Sequence, residues 1–237
     1  MDPFLGALCL ELELWGHVLR HPPVKTIFFG GGTPSYLPDG RIGEVLSVAR
    51  TAFSFEAAAE ITVEANPGDL DQAACLRLLQ QGVNRLSIGT QSFNNDLLTL
   101  LGRRHDTSTA VTALEAAYTA GFANVNLDFM YGIPHQTMAQ WEDTLARITD
   151  LSPQHISLYG LTLEEGTPLQ LWVNQGKLPA PDPDISADMY HRAEDVLSDA
   201  GYAHYEISNW SLPNYHCLLY TSPRPRDATL SRLPTSA

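Results

Sequence analysis

Short β-branched runs alternate along this chain with segments whose apolar residues recur every three or four positions. After an opening helix over about 4–20, the run Val24 to Phe29 reads as a strand. Ile42, Val45, Leu46, Ala49, Ala52 and Phe53 then follow the i, i+3, i+4, i+7 spacing of a helix with one apolar face. A strand at Glu60 to Glu64 precedes a helix that Asp69 and Gln72 open as a capping box and that stops near Gly82.

The rhythm continues with a strand at Asn84 to Gly89, a short helix over 94–101 closed by Gly102, and a helix over 107–120 closed by Gly121. Asn124 to Phe129 is the next strand; Thr137 and Gln140 cap the helix after it. The strand His155 to Tyr159, a helix over 184–200 with Ile185, Met189, Val196 and Leu197 on one face, and a last strand at Ala203 to Ile207 complete the series. Six strands alternating with helices predict an α/β fold with a parallel sheet, either open and doubly wound or a full or partial (β/α) barrel. Residues 1–216 form one domain on this reading. Residues 217–237 carry Arg224, Arg226 and Arg232 among prolines, Ser and Thr with no apolar period, and read as a disordered tail foreign to the rest.

Composition narrows the partners. The 237 residues carry 14 Lys plus Arg against 27 Asp plus Glu, and a net charge of -13 disfavours nucleic acid and anionic membranes. No window reaches the roughly 20 apolar residues of a membrane-spanning helix. No basic leader precedes the opening helix, so a cytoplasmic location is expected. Cys9, Cys75 and Cys217 are odd in number and widely spaced, which suits buried thiols better than disulfides or a metal cluster.

Chemistry concentrates where strands end. In parallel α/β folds ligands lie beyond the carboxyl ends of the strands. There the sequence places Gly30-Gly31-Gly32-Thr33, then Glu64, Gln91 and Asp128 in turn. Consecutive glycines let backbone approach a ligand closely. Glu64, Gln91 and Asp128 taken singly also suit helix capping, and Arg103, Arg104 and His105 suit the C-terminus of a helix. The glycine turn lacks the G-x-G-x-x-G spacing, and no Gly-Lys-Ser/Thr follows, which disfavours a dinucleotide or a triphosphate. A ligand with an amino acid part and a ribose fits: carbonyls and Thr33 for an ammonium, an Arg for a carboxylate, Glu64, Gln91 and Asp128 for hydroxyls. S-adenosylmethionine has that outline.

The ordered motifs Gly-Gly-Gly-Thr-Pro at 30–34, Val-Glu-Ala-Asn-Pro at 63–67, Asn-Arg-Leu-Ser-Ile-Gly-Thr-Gln-Ser-Phe at 84–93, Leu-Gly-Arg-Arg-His at 101–105 and Leu-Asp-Phe-Met-Tyr-Gly-Ile-Pro at 127–134 carry a resemblance. Over residues 5–216 the chain resembles the radical SAM proteins related to oxygen-independent coproporphyrinogen III oxidase; the Ser-Ile-Gly-x-Gln-Ser-Phe form at 87–93 and the Leu-Gly-Arg-x-His form at 101–105 are more similar to its heme chaperone branch than to the oxidase, and Ser157 to Leu161 and Tyr205 to Asn209 agree. The resemblance implies a partial (β/α) barrel. It implies that Gly31, Gly32 and Thr33 receive the methionine amino group, that Arg103 meets its carboxylate, and that Glu64, Gln91 and Asp128 hold the ribose and methionyl parts. By equal spacing it puts Thr162 near the adenine. It further implies a role in porphyrin metabolism, with heme or a porphyrin as second ligand and a heme-accepting protein as partner. His17, His21, His105, His135, His155, His191, His204 and His216 are the conceivable heme ligands, and no spacing singles one out.

Family members hold a [4Fe-4S] cluster through an N-terminal Cys-x-x-x-Cys-x-x-Cys loop, which this sequence lacks. The expectation is a fragment without the cluster loop and first strand. The alternatives are a coproporphyrinogen III dehydrogenase and a cluster-free module that binds S-adenosylmethionine or heme.

Overall fold

The computed structural model describes residues 3–38 and 40–221. Helix α1 (Pro3–Val18) leads into β1 (Pro23–Phe29), α2 (Arg41–Ala52), β2 (Ser54–Ala65), α3 (Gln72–Gln81) and β3 (Arg85–Gln91). Two helices, α4 (Asn95–Leu100) and α5 (Thr107–Ala120), precede β4 (Val125–Tyr131), and α6 (Met138–Leu151) precedes β5 (His155–Gly160). Then come α7 (Pro168–Asn174), α8 (Pro183–Asp199), β6 (Ala203–Glu206), β7 (Asn209–Ser211) and α9 (Leu218–Thr221).

The seven strands form one sheet in the order β1-β2-β3-β4-β5-β7-β6, with every pair from β1 to β5 parallel. Strand β7 pairs antiparallel with both β5 and β6. Strand β6 therefore runs in the predicted direction, but a three-residue strand the sequence pattern missed lies between it and β5. Its burial comes from Asn209, Trp210 and Ser211, too short a run to show a period.

Register explains why the sheet curls into a half-barrel. Thr62 lies beside Arg85, Ser87 beside Asn126, Asn126 beside His155, and Ser157 beside Asn209. These polar residues share one face, because side chains on a strand alternate. Ile61, Val63, Leu86, Ile88, Val125, Leu127, Ile156 and Leu158 share the other; all are buried, and they pack into one core with Ala113, Leu114, Trp141, Leu145, Met189 and Leu197 of the helices. An open doubly wound sheet carries helices on both faces and needs apolar residues on both. Here helices cover only the outer, convex face, and the concave face is a polar lumen.

Local signals set the helices. Asp106 and Thr137 cap α5 and α6, the latter with the reciprocal Gln140 bond of a capping box. The start of α3 differs from expectation: Asp71 is the cap, accepting from the Ala74 N–H at 2.6 Å, while Asp69 sits in a preceding 3-10 turn and accepts from Ser35 Oγ. The polar run Asp69 to Gln72 offered two registers, and Pro67 draws Asp69 into its own turn. On α8 the buried stripe is Met189, Ala193 and Leu197, whereas Ile185 is exposed.

The predicted tail begins with structure. Cys217 is fully buried, and Glu60 Oε1 accepts from its Sγ and from the Leu218 N–H, closing the lumen at the amino ends of the strands. The rest of that tail, residues 222–237, lies outside the described residues. No described helix is long and apolar enough to cross a membrane.

Candidate functional site

At the carboxyl ends of β1 to β5 lies a cavity of about 310 Å³ whose walls include Gly32, Thr33, Glu64, Gln91, Arg103 and Asp128, six of the eight residues expected there. Gly31 stands at its rim, φ +90°, and donates its N–H to Glu64 Oε2 at 3.2 Å. A Cβ at Gly30 would fall 2.8 Å from Glu64 Cδ, so this glycine is what lets the carboxylate lie against the turn. No atom outside the turn lies within 4 Å of a Cβ built at Gly31 or Gly32, which leaves their backbone open to a ligand. Thr162 is not brought in. Strand β5 ends at Gly160, the Leu161 N–H bonds back to Tyr131 O, and Thr162 follows on an exposed loop.

Gln91 ends β3 in the left-handed region, φ +67°, beside a tight Ser92 N to Thr90 O bond of 2.9 Å. A non-glycine residue held there costs of order 1 kcal/mol, and such strain clusters at ligand sites. The kink lays the Gln91 amide over Gly89, whose added Cβ would stand 3.0 Å from Gln91 Nε2.

Asp128 stands mid-strand in β4, half-buried. Asn126 Nδ2 donates to its Oδ1 at 2.7 Å and Ser87 Oγ to its Oδ2 at 3.0 Å. Burial still pushes its pKa up to about 6; Asn126, Ser87 and Arg85 oppose that rise, and Glu64 adds to it. Glu64 is raised too, by burial against the Gly31 N–H. Arg103 shifts down through burial, with Asp128 opposing, and keeps its charge. The cavity therefore sets one guanidinium among two reluctant carboxylates, an amide and open backbone. It suits a ligand that brings both a cationic group and a carboxylate along with hydroxyls.

Asn66, Ser87 and Tyr159 also line the cavity. The pattern of polar residues at every second strand position, Arg85-Ser87-Gly89-Gln91 beside Asn126-Asp128, was the signal for Ser87. Asn66 stands in the Val-Glu-Ala-Asn-Pro motif at 63–67 but was given no role of its own there. Among the histidines, His105 and His155 are buried and the other six exposed. His105 Nε2 lies 3.1 Å from Thr90 O and thus carries the proton, and burial lowers its pKa. The three cysteines are buried thiols in no disulfide, on α1, on α3 and at the foot of the lumen, and no described group of His, Cys, Asp and Glu could hold a metal ion.

The model of the radical SAM superfamily matches residues 11–148. A heme chaperone, HemW, of Synechocystis is 38% identical over 90% of this chain and 52% of its own length. The mouse mitochondrial radical S-adenosyl methionine domain-containing protein 1 is 42% identical over 79% of this chain and 42% of its own length. The chain spans about half the length of the curated relatives it matches. Among solved structures, coproporphyrinogen III oxidase of Escherichia coli superposes with a TM-score of 0.79 at 30% identity, covering 90% of this chain and 49% of that one. An archaeal Elp3 shares the fold at a TM-score of 0.62 and 20% identity.

Proposed function

Since the chain belongs to the radical SAM superfamily, we propose that its strand-end cavity binds S-adenosylmethionine and that it represents the core of a heme chaperone. The observation that carries this reading is the meeting of Glu64, Gln91, Arg103 and Asp128, from three strands and a loop, around one cavity with the glycine turn.

The groups present fit the ligand. Arg103 would take the methionyl carboxylate as a charge-assisted pair. Thr33 and the carbonyls of the open glycine turn would take the ammonium, aided by the Glu64 carboxylate. Asp128 would accept from the ribose hydroxyls and Gln91 bond the remaining polar edge. The sulfonium charge then faces a cavity that holds two carboxylates, which favours its retention over the neutral thioether left when it is cleaved.

The [4Fe-4S] cluster of the family does not fit the residues here. Cys9, Cys75 and Cys217 sit on separate elements, and the sequence has no three-cysteine loop, so no radical step is derived for this chain. A heme chaperone is favoured over coproporphyrinogen oxidation because the relatives that are 38 and 39% identical over nine-tenths of the chain are named heme chaperones. Heme and a heme-accepting protein are the further partners on this reading. A cytoplasmic location is part of the same reading.

Titration calorimetry of the 237-residue chain with S-adenosylmethionine tests the proposal. We expect saturable heat in the unaltered protein, and a loss of at least tenfold in affinity in both Arg103→Ala and Asp128→Ala. No heat in the unaltered chain, or equal affinity in the variants, overturns it.

A further inference from the structure

Below the cavity, four side chains form a hydrogen-bond chain in which every donor points the same way. The Cys217 N–H meets the Tyr205 hydroxyl at 3.1 Å, and that hydroxyl lies 2.6 Å from His155 Nε2. His155 Nδ1 lies 2.6 Å from Asn126 Oδ1, and Asn126 Nδ2 donates to Asp128 Oδ1 at 2.7 Å. His155 is fully buried.

The directions follow from chemistry. A carboxylate accepts only, so Asp128 turns the Asn126 amide nitrogen toward itself and leaves Oδ1 facing His155. An amide oxygen also accepts only, so His155 must carry its proton on Nδ1. With Nδ1 protonated, a neutral imidazole presents Nε2 as an acceptor, and the Tyr205 hydroxyl donates to it. Burial first, then Arg85 and His216, hold His155 well below the usual histidine range, which keeps the ring neutral. The Ser157 hydroxyl does not fix the amide, because it lies 2.8 Å from Asn209 Oδ1 and 3.2 Å from Asn126 Oδ1 and has one proton for the two.

We infer that His155 is a positioning residue for the ligand carboxylate Asp128, acting through the Asn126 amide. The inference rests on the reading of Asp128 as a group that holds ligand. Without the imidazole N–H, Oδ1 of the amide loses its anchor, and only Asp128 and the Ser87 hydroxyl, to which Nδ2 also donates at 2.7 Å, still orient it, so the bond to Asp128 loosens. A histidine here is no simple filler: a buried polar chain gains little stability over an apolar replacement of like volume, while it selects one orientation.

The charges facing Asp128 are Glu64 from β2, Arg85 from β3 and Arg103 from the loop after α4; His155 from β5 is neutral and reaches it only through Asn126. None of the other three changes when His155 is replaced. A shift in the titration of Asp128 therefore reports the amide.

The test follows the carboxyl carbon of Asp128 by NMR across pH 4 to 8 in the full chain without ligand, beside calorimetry with S-adenosylmethionine. In the unaltered protein the midpoint should lie near 6. His155→Asn keeps a donor at the Nδ1 position and should leave the midpoint within about 0.2, while His155→Gln, whose amide reaches the Nε2 position, should raise it by about 0.5 or more. Affinity at pH 6.5 should fall several-fold in His155→Gln and hold in His155→Asn. Equal midpoints in the two variants overturn the inference, whether both match the unaltered protein or both move. A midpoint that moves only in His155→Gln, in a protein that binds no S-adenosylmethionine, supports the positioning role and overturns the ligand reading instead.

Discussion

Asp128 shows how a ligand site is held against stability. Its folded value near 6 exceeds the 3.8 of an unperturbed aspartate, so the native state holds the proton more firmly than the unfolded chain does. The sign follows: the cost of ionising it in the fold appears as pH rises above 3.8 and is complete above about 6. Asp128→Asn removes that cost, and we expect it to stabilise the unliganded chain by about 1 to 2 kcal/mol at pH 7.5 and by nothing at pH 3.5. Urea unfolding at the two pH values checks this; a variant less stable at pH 7.5 would show the carboxylate to be a net structural asset. At this scale the sequence was informative about which residues meet and silent about how. Glu64 and Gln91 were legible because they close strands and Asp128 because it falls in the carboxyl half of the run Asn124 to Phe129, whereas spacing alone could not bring Thr162 to the cavity wall, since it follows β5 on an exposed loop. The roles of Asn126 and His155 were invisible for a different reason: both depend on a cross-strand register that no local pattern encodes.

Elements were most legible where a chemical stop accompanies the period. Gly82 and Gly121 end α3 and α5 with φ near +100°, a region that favours glycine, and Asp106 and Thr137 begin helices with bonds that other residue types rarely supply. Strand β7, which pairs with β6 as a hairpin, and the short α7 were missed, since three to seven residues show too little periodicity. Packing between α6 and α8 turns on Trp141, which is fully buried and donates its indole N–H to Met189 O at 2.8 Å. Trp141→Phe should cost about 1 to 2 kcal/mol from the orphaned carbonyl and lost ring, and Trp141→Ala about 3 to 5 kcal/mol. Both are read from denaturant midpoints; equal losses would place the cost in the hydrogen bond rather than in the packing.

For the whole molecule, the choice between an open sheet and a half-barrel was left undecided by element order and is settled by alternation, with polar Arg85, Ser87, Asn126, Asp128, His155 and Ser157 on one face. All three thiols are buried, Cys75 in the convex core, Cys9 under α1 and Cys217 at the foot of the lumen. We expect a thiol reagent to label the native chain slowly and to reach three per chain only after denaturation; rapid labelling of one thiol in native conditions would locate an opening of the fold. Iron and sulfide reconstitution of this chain should give no cluster absorbance, because no three sulfurs can converge. Strand β7 runs opposite to its neighbours, so the residues after Ser211 emerge at the end of the barrel away from the cavity, about 20 Å off for strands of seven residues. A surface tether attached beyond Thr221 would thus present the ligand mouth outward, and immobilised binding measurements need no redesign of the chain.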